Sequence, residues 1–144
     1  MSLNDFLPYR LAIVAEAVSR EVSQVYREKF DLTRDEWRIL ALLGETGSIK
    51  TREARQYTTL DKVQVSRAVN SMLSRKLLTR TELAEDRRNH VIALTSQGVT
   101  LYQQVIPEVL RVEAAILRKL TKTQINSLTK TLDQLLSHVS AAHN

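Results

Sequence analysis

The chain has 144 residues, a formal net charge of +5 and a hydrophobic content of 43%. This length favours one domain, and this hydrophobic content favours a packed core over a disordered chain. The absence of cysteine excludes disulfides, thiol catalysis and Cys-ligated zinc. No apolar run approaches the ~18 residues of a membrane span, so we expect a cytoplasmic protein without a membrane partner.

The first part of the chain predicts two helices. Residues 5–28 place apolar side chains at spacings of three and four, which is typical of an amphipathic helix. Thr33 is followed three residues later by Glu36, and this capping box predicts the start of a second helix. Gly44 and Gly47 mark its end.

The middle of the chain predicts two further helices and a hairpin. Residues 51–58 can form a short helix, and Asp61 is a favourable N-cap for the helix that follows it. Leu77–Glu82 and His90–Thr95 alternate as short strands do, with a charged tip between them. A short helix, a turn, a second helix and a hairpin match a helix-turn-helix with a wing.

The pattern predicts helix from Ser96 to the end of the chain, with a break near Thr121, where Thr121 or Thr123 can cap a final helix. The last helix carries a narrow 3-4-3-4 row of apolar side chains: Ile125, Leu128, Leu132, Leu135 and Val139. Such a row resembles a coiled-coil seam. It indicates that the two ends of the chain pack against each other or against a second subunit, and packing within one molecule stays open as the alternative.

Positive charge is concentrated in the middle of the chain. Residues 50–90 contain ten Lys or Arg and five Asp or Glu, an excess equal to the net charge of the whole chain. A localised excess of this kind indicates a polyanionic partner. A basic face that is only solvated is the alternative.

The second helix of the middle region can read DNA bases. Gln64, Ser66, Arg67 and Asn70 share its polar side, with Ser71 beside them. Arg pairs well with guanine, Asn and Gln pair well with adenine, and serine hydroxyls can bond phosphates. A polar face that serves only solubility is the alternative.

The hairpin tip carries Arg87 next to Arg88, where two like charges repel each other. Insertion of an arginine into a narrow minor groove of DNA, where the negative potential is enhanced, would explain this unfavourable pair of charges. Asp86 is expected to brace the turn, either by accepting backbone N–H groups or by pairing with an arginine. An exposed polar turn is the alternative.

These residues resemble a known family. Asp86-Arg87-Arg88, Ile92, Leu94-Thr95 and Gly98 resemble the D-R-R-x-x-x-L-x-L-T-x-x-G wing signature of MarR-family transcriptional regulators, with Ile92 in place of the usual Leu. "VSRAVNSMLSRKLLTR" is similar to that family's recognition helix and first wing strand, and "LTRDEWRILALL" to its second helix. The resemblance extends from about Asn4 to His143.

The resemblance implies a mainly α (α+β) winged helix-turn-helix protein with six helices. It implies one domain over residues 1–144, with a DNA-binding lobe at 33–95 and a dimerisation lobe formed by 1–30 and 98–144. It also implies an obligate homodimer that binds a pseudo-palindromic operator on double-stranded DNA, usually as a repressor. In many members, binding of a small aromatic or phenolic acid releases the protein from the DNA. A ligand-independent helical homodimer with a structural or protein-interaction role is the alternative function.

The residues and the resemblance together predict two sites. Recognition helix 62–75, the start of the preceding helix and the wing supply the DNA contacts Thr51, Lys62, Gln64, Ser66, Arg67, Asn70, Ser71, Arg75, Arg87 and Arg88, with Asp86 as the brace. A pocket for an aromatic carboxylate would use Arg10, Trp37, Arg38 and Tyr102.

Two departures from the family and the lack of catalytic motifs complete the predictions. Leu77 stands where the family commonly has glycine, which puts the angle of the wing in question. The lack of cysteine excludes the family's peroxide-sensing branch. His90, His138 and His143 have no metal-ligand spacing, and no phosphate loop or nucleophile motif is present, so we expect neither an enzyme nor a cofactor.

Overall fold

The computed structural model of the chain describes residues 1–142. The elements are α1 (Leu7–Phe30), α2 (Arg34–Thr46), β1 (Ser48–Lys50), α3 (Thr51–Thr58), α4 (Lys62–Ser74), β2 (Leu78–Leu83), β3 (Asp86–Leu94), α5 (Ser96–Leu117) and α6 (Lys122–Ala141). A single 3₁₀ turn precedes α1. This mostly helical architecture with one small sheet confirms the predicted fold class.

The chain forms two compact units, of which the first runs from Met1 to Leu110 and the second begins at Arg111. The core of the first unit joins α2, α4, the sheet and the first part of α5. Ile39, Leu40, Met72, Ile92 and Val105 are completely buried there. These side chains hold the sheet and the helices of the middle region in fixed positions.

Capping boxes start α2, α4 and α6, each at a residue that the sequence marked as a possible cap. The Thr33 hydroxyl accepts the N–H of Glu36, and the Glu36 carboxylate accepts the N–H of Thr33. Asp61 with Gln64 does the same at α4, and Thr121 with Gln124 at α6. Each box satisfies N–H groups that the first turn of a helix leaves without an intrahelical partner.

The sheet has three strands, whereas the sequence predicted two. β1 pairs antiparallel with β3, and the strand order is β1-β3-β2. Three residues are too few to show an alternating pattern, so the sequence did not reveal β1. It places Ile49 opposite Ile92 and joins the end of α2 to the hairpin.

The hairpin turn is shorter than predicted. β2 continues to Leu83 and β3 begins at Asp86, so Ala84 and Glu85 form the turn. The pairing is irregular there, because Glu82 lies opposite His90 while Leu83 lies opposite Asp86. Arg87 and Arg88 therefore lie on an irregular stretch of the returning strand and not at the tip.

Leu77 does not hold the left-handed position after α4. The left-handed residue after α4 is Lys76, with φ of 60°, and Leu77 is buried. The N–H of Leu77 donates to the Met72 carbonyl over 2.9 Å, and the N–H of Lys76 donates to the Leu73 carbonyl over 3.0 Å. This is a Schellman ending, in which an apolar residue at the position of Leu77 packs back on the helix.

The wing closes on itself at its base. The N–H of Thr95 donates to the Leu77 carbonyl over 3.0 Å, and its hydroxyl donates to the Lys76 carbonyl over 2.7 Å. The same hydroxyl accepts the N–H of Gly98. A Cβ at Gly98 would collide with the Leu77 carbonyl, which explains physically why glycine follows Leu-Thr in this signature.

Exposed apolar side chains lie on helices of both units. In the first unit, the N-terminal half of α1 exposes Leu7, Leu11, Ile13, Val14 and Val18. In the second unit, α6 has no buried residue among those described, and it exposes Leu128, Leu132, Leu136 and Val139. Within residues 1–142, no helix is long and apolar enough to cross a membrane.

Candidate nucleic-acid interface

The recognition-helix candidate α4 has one buried and one exposed side. Val65, Val69 and Met72 are buried in the core of the first unit. Ser66 and Arg67 lie on the opposite, exposed side. The apolar spacing of α4 thus fixes which polar side chains face solvent.

The start of α4 presents amide donors. Gln64 completes the capping box, and its Oε1 accepts the N–H of Asp61 over 2.9 Å. The amide nitrogen of Gln64 keeps its two donors, and Lys62 is exposed two residues earlier. This end of α4 therefore combines positive charge with hydrogen-bond donors.

Arg75, which the sequence predicted as a DNA contact, has partners within the protein. Its guanidinium lies 3.0 Å from Oε2 of Glu36, which is 4% exposed. It also donates to the carbonyls of Asp31 over 2.8 Å and Phe30 over 3.4 Å. Arg75 therefore neutralises a buried carboxylate and caps the end of α1.

Two predicted hydroxyl contacts are also used inside the protein. The Ser71 hydroxyl donates to Oε2 of Glu36 over 3.4 Å. The Thr51 hydroxyl donates to the carbonyl of His90 over 3.2 Å and so ties α3 to β3. Both side chains help to position α4 and the wing.

A basic cleft lies between α3, α4 and the wing, with a volume of about 240 Å³. Its floor contains Val65 and Val69, and Ser66 and the wing residues Asn89 and His90 also line it. Nδ1 of His90 is buried without a hydrogen-bond partner. Five cationic side chains surround the cleft: Arg52, Arg55, Lys62, Arg80 and Arg88.

Sequence reasoning identified only Lys62 and Arg88 of these five. Arg52 and Arg55 are three residues apart, which places them on the same face of α3. That spacing was a signal in the sequence. Arg80 gave no such signal, because only the pairing of the hairpin places it on the inner face of the sheet.

Asp86 braces the irregular start of β3. Its carboxylate accepts the N–H of Arg88 over 3.0 Å and the side-chain amide of Asn89 over 2.8 Å. The first of the two expected modes, acceptance of a backbone N–H, is the one observed. Arg87 is exposed on this braced segment, and Arg88 faces the cleft.

The four residues predicted for an effector pocket do not lie together. Trp37 stacks on Tyr26 with ring centroids 5.6 Å apart, and Arg38 donates to the Thr59 hydroxyl over 2.8 Å. Trp37 and Arg38 share a cavity of about 410 Å³ beside α3. Arg10 and Tyr102 do not line it, and Tyr102 instead packs on Gly44.

A second cavity, of about 480 Å³, lies between α1 and α2. Tyr26 lines it, and burial raises the pKa of the Tyr26 phenol while neighbouring arginines oppose that shift. Arg38 lines this cavity as well as the first one. The cavity is strongly cationic, with four arginines against Glu16: Arg20, Arg27, Arg34 and Arg38.

The described residues show no metal site. No group of three or more His, Cys, Asp or Glu within residues 1–142 is placed to hold an ion. Of the histidines considered in the sequence, His143 lies outside the described residues.

Comparison with known proteins shows what this geometry is similar to. Residues 30–89, which include α2, α3, α4, β2 and the start of β3, match the model of the MarR family. The chain is 23% identical over 116 residues to an uncharacterized HTH-type transcriptional regulator, YhbI, of Bacillus subtilis. The match covers 81% of this chain and 75% of YhbI.

Solved structures share the fold over nearly the whole chain. A MarR/EmrR family regulator of Acinetobacter sp. ADP1 is 23% identical, has a TM-score of 0.87, and the match covers 98% of this chain and 99% of that one. BpsR of Bordetella bronchiseptica, whose DNA binding is regulated by 6-hydroxynicotinic acid, is 18% identical with a TM-score of 0.83, at 94% and 96% coverage. NadR in complex with 4-hydroxyphenylacetate is 21% identical with a TM-score of 0.79, at 94% and 95% coverage.

The matched segment contains the helix-turn-helix and most of the hairpin, and the fold agrees along the remainder. Over residues 30–89 the chain is similar to the MarR family, and it shares the fold of that family's solved structures.

Proposed function

We propose that this protein is a homodimeric repressor that binds a pseudo-palindromic operator and is released by a small aromatic or phenolic acid. The observation that supports this proposal is the exposed polar side of α4, which lies beside a cleft lined by five cationic side chains. Cations beside a donor-rich helix suit the phosphates and base edges of one major groove. Such a regulator acts in the cytoplasm, on the nucleoid.

The proposed contacts divide by chemistry. Arg67 and Gln64, on the outer side of α4, read base edges, and Ser66 allows close approach. Lys62, Arg52, Arg55 and Arg88 bind phosphates. Arg87, on the segment braced by Asp86, enters the adjacent minor groove.

Binding to duplex DNA tests the proposal. The protein should retain fragments of genomic duplex at about 50 mM salt and release them steeply as salt rises, because phosphate contacts release counterions. Arg87→Ala should lower operator affinity by about 1–3 kcal/mol with folding unchanged. Lys130→Ala, which removes the same charge from α6, is the control. Equal footprints for the Arg87 variant and the wild type would remove the wing assignment.

Arg67 provides a separate test of the recognition helix. Arg67→Ala should weaken discrimination at one base step in each half-site, because a guanine contact is lost. A uniform loss across sequences would make Arg67 a phosphate contact instead.

The dimer is proposed from the exposed apolar rows of α1 and α6. Each row exceeds the single apolar residues that are normal on a soluble surface. A second copy of the chain would cover them and place two copies of α4 on the two halves of an operator.

The effector is proposed to be a hydroxylated aromatic carboxylate. The ligands named for NadR and BpsR are of this class. Arg38 lines the cavity beside α3 and the cavity between α1 and α2, and the second of these has an excess of arginines that would pair with a carboxylate. Trp37, beside Arg38, offers an aromatic face.

Titration of an operator complex with 4-hydroxyphenylacetate and 6-hydroxynicotinate tests this part. Either ligand should lower DNA affinity, and Arg34→Ala in the cavity between α1 and α2 should weaken that response. Arg10→Ala, which lies outside both cavities, should respond as the wild type does. An unchanged response in Arg34→Ala and Arg38→Ala would exclude both cavities.

A ligand-independent helical dimer with a structural or protein-interaction role remains the alternative function. It explains the apolar rows but not the basic cleft. Failure to retain any duplex at low salt would favour it.

A further inference from the structure

Arg80 of the wing reaches the exposed side of α4. It lies opposite Ile92 in the sheet, and Ile92 is completely buried. Cross-strand partners project from the same face of a sheet, so the Arg80 side chain lies on the inner face. There its Nη1 donates a hydrogen bond over 3.3 Å to Oδ1 of Asn70.

This bond fixes the orientation of the Asn70 amide. A guanidinium carries five N–H donors and no acceptor, so only the amide oxygen can receive it. The amide nitrogen then points away from Arg80 with both of its donors. Without Arg80, rotation of the amide would exchange donor and acceptor, because the last torsion of asparagine is broad.

We propose that Arg80 is a positioning residue for base recognition, which holds the Asn70 amide so that α4 reads one base step of each half-site with a fixed donor pattern. The proposal rests on the proposed function, since it requires α4 to lie in the major groove. There, N7 of a purine, O6 of guanine or O4 of thymine can accept from Nδ2. The preferred base at this step should therefore offer an acceptor, and the preference should depend on Arg80.

A simple phosphate contact by Arg80 is the rival role. Arg80 lines the basic cleft with Arg52 and Arg88, so its charge alone can attract DNA. The two roles differ in what they change. Loss of a phosphate contact weakens all sequences by the same factor, whereas loss of a positioning residue alters the preference at one step.

Selection from a random duplex pool with the full chain separates the two roles. Asn70→Ala identifies the step that Asn70 reads, as the one where base preference disappears. Arg80→Ala should reduce preference at that same step from about tenfold to about twofold and leave other steps unchanged. Arg52→Ala, which removes the same charge from the same cleft, should weaken all sequences equally.

Two further variants complete the test. Arg80→Lys keeps a donor and should restore part of the preference. Arg80→Ala combined with Asn70→Ala should lose no more preference than Asn70→Ala alone. Arg80 is exposed, so we expect unchanged melting temperatures. Arg80→Met, which keeps the aliphatic stem, replaces Arg80→Ala if that variant does not fold.

Three outcomes would overturn the inference. A uniform loss of affinity in Arg80→Ala, or an Asn70→Ala variant without a step-specific effect, would do so while leaving the proposed function standing. If the wild-type chain enriches no sequence, the proposed function fails and the inference fails with it.

Discussion

Arg67 lies on α4 and Arg75 caps the end of that helix, eight residues later, and the two side chains have different surroundings. Arg67 is exposed, whereas Arg75 pairs with the buried carboxylate of Glu36. Sequence analysis grouped both as DNA contacts, because both fall within the predicted recognition helix, residues 62–75. Glu36 is 39 residues from Arg75 along the chain, so local spacing does not reveal the pair.

Replacement of Arg75 should destabilise the fold. Arg75→Met leaves the Glu36 carboxylate buried without its cation, which should lower the free energy of unfolding by about 2 kcal/mol. Arg67→Met, a matched change on the exposed side of α4, should alter it by less than about 0.5 kcal/mol. Urea unfolding measures both. Equal midpoints for the two variants would show that the buried pair contributes nothing.

Tyr26 should ionise later than an exposed tyrosine. Burial raises its pKa above the ordinary value of 10.0, so the folded state keeps the proton that the unfolded chain loses near that pH. Its contribution to stability is complete below about pH 10 and is lost as the pH rises through the folded pKa.

Thermal melts between about pH 9 and 11 test this shift. The wild-type protein should lose more stability over that range than Tyr26→Phe. Tyr57→Phe, at a residue that is 67% exposed, should follow the wild type. Identical slopes for the wild type and both variants would contradict a raised pKa.

At the scale of elements, helix caps could be predicted from the sequence, whereas the pairing of strands could not. The apolar spacings and the caps Thr33, Asp61 and Thr121 predicted helices that the structure contains. Strand β1 and the exact turn of the hairpin depend on partners far along the chain. The resemblance placed the left-handed residue after α4 at Leu77, whereas Lys76 adopts that conformation. Neither residue is a glycine, so the sequence did not show which of the two it would be.

Gly44 permits close packing of α2 on α5. A Cβ at this position would overlap the ring of Tyr102. Gly44→Ala should therefore lower the free energy of unfolding by about 1–3 kcal/mol, even though alanine favours helices. Combining it with Tyr102→Leu should recover part of the loss. Chemical denaturation measures both, and a stabilised Gly44→Ala would show that Tyr102 moves aside at no cost.

At the scale of the whole molecule, the sequence predicted which segment carries the positive charge better than it predicted which individual side chains line the cleft. The charge excess of residues 50–90 becomes the cleft between α3, α4 and the wing. Three of its five cations were missed, because a cleft is formed by elements that the sequence separates. Of the four residues predicted for the effector pocket, only Trp37 and Arg38 line the same cavity.

The exposed row of α6 should hold two copies of the chain together. Leu132→Glu places a charge in that row and should shift the protein towards a monomer in sedimentation experiments, because a buried unpaired charge is costly. Gln134→Glu adds the same charge to the same helix outside the row and should leave the assembly unchanged. A Leu132→Glu variant that sediments as the wild type does would place the dimer contact elsewhere.

The closure of the wing at Leu77, Thr95 and Gly98 has a consequence for how such proteins change over time. Both strands of the hairpin are fastened where they leave the body of the protein, so a change at Ala84 or Glu85 is not transmitted to the core. Insertions or deletions at the turn can alter the reach of the hairpin while the helices keep their positions. Under the proposed function, a lineage can thus acquire a different operator by altering a loop, without having to rebuild a fold.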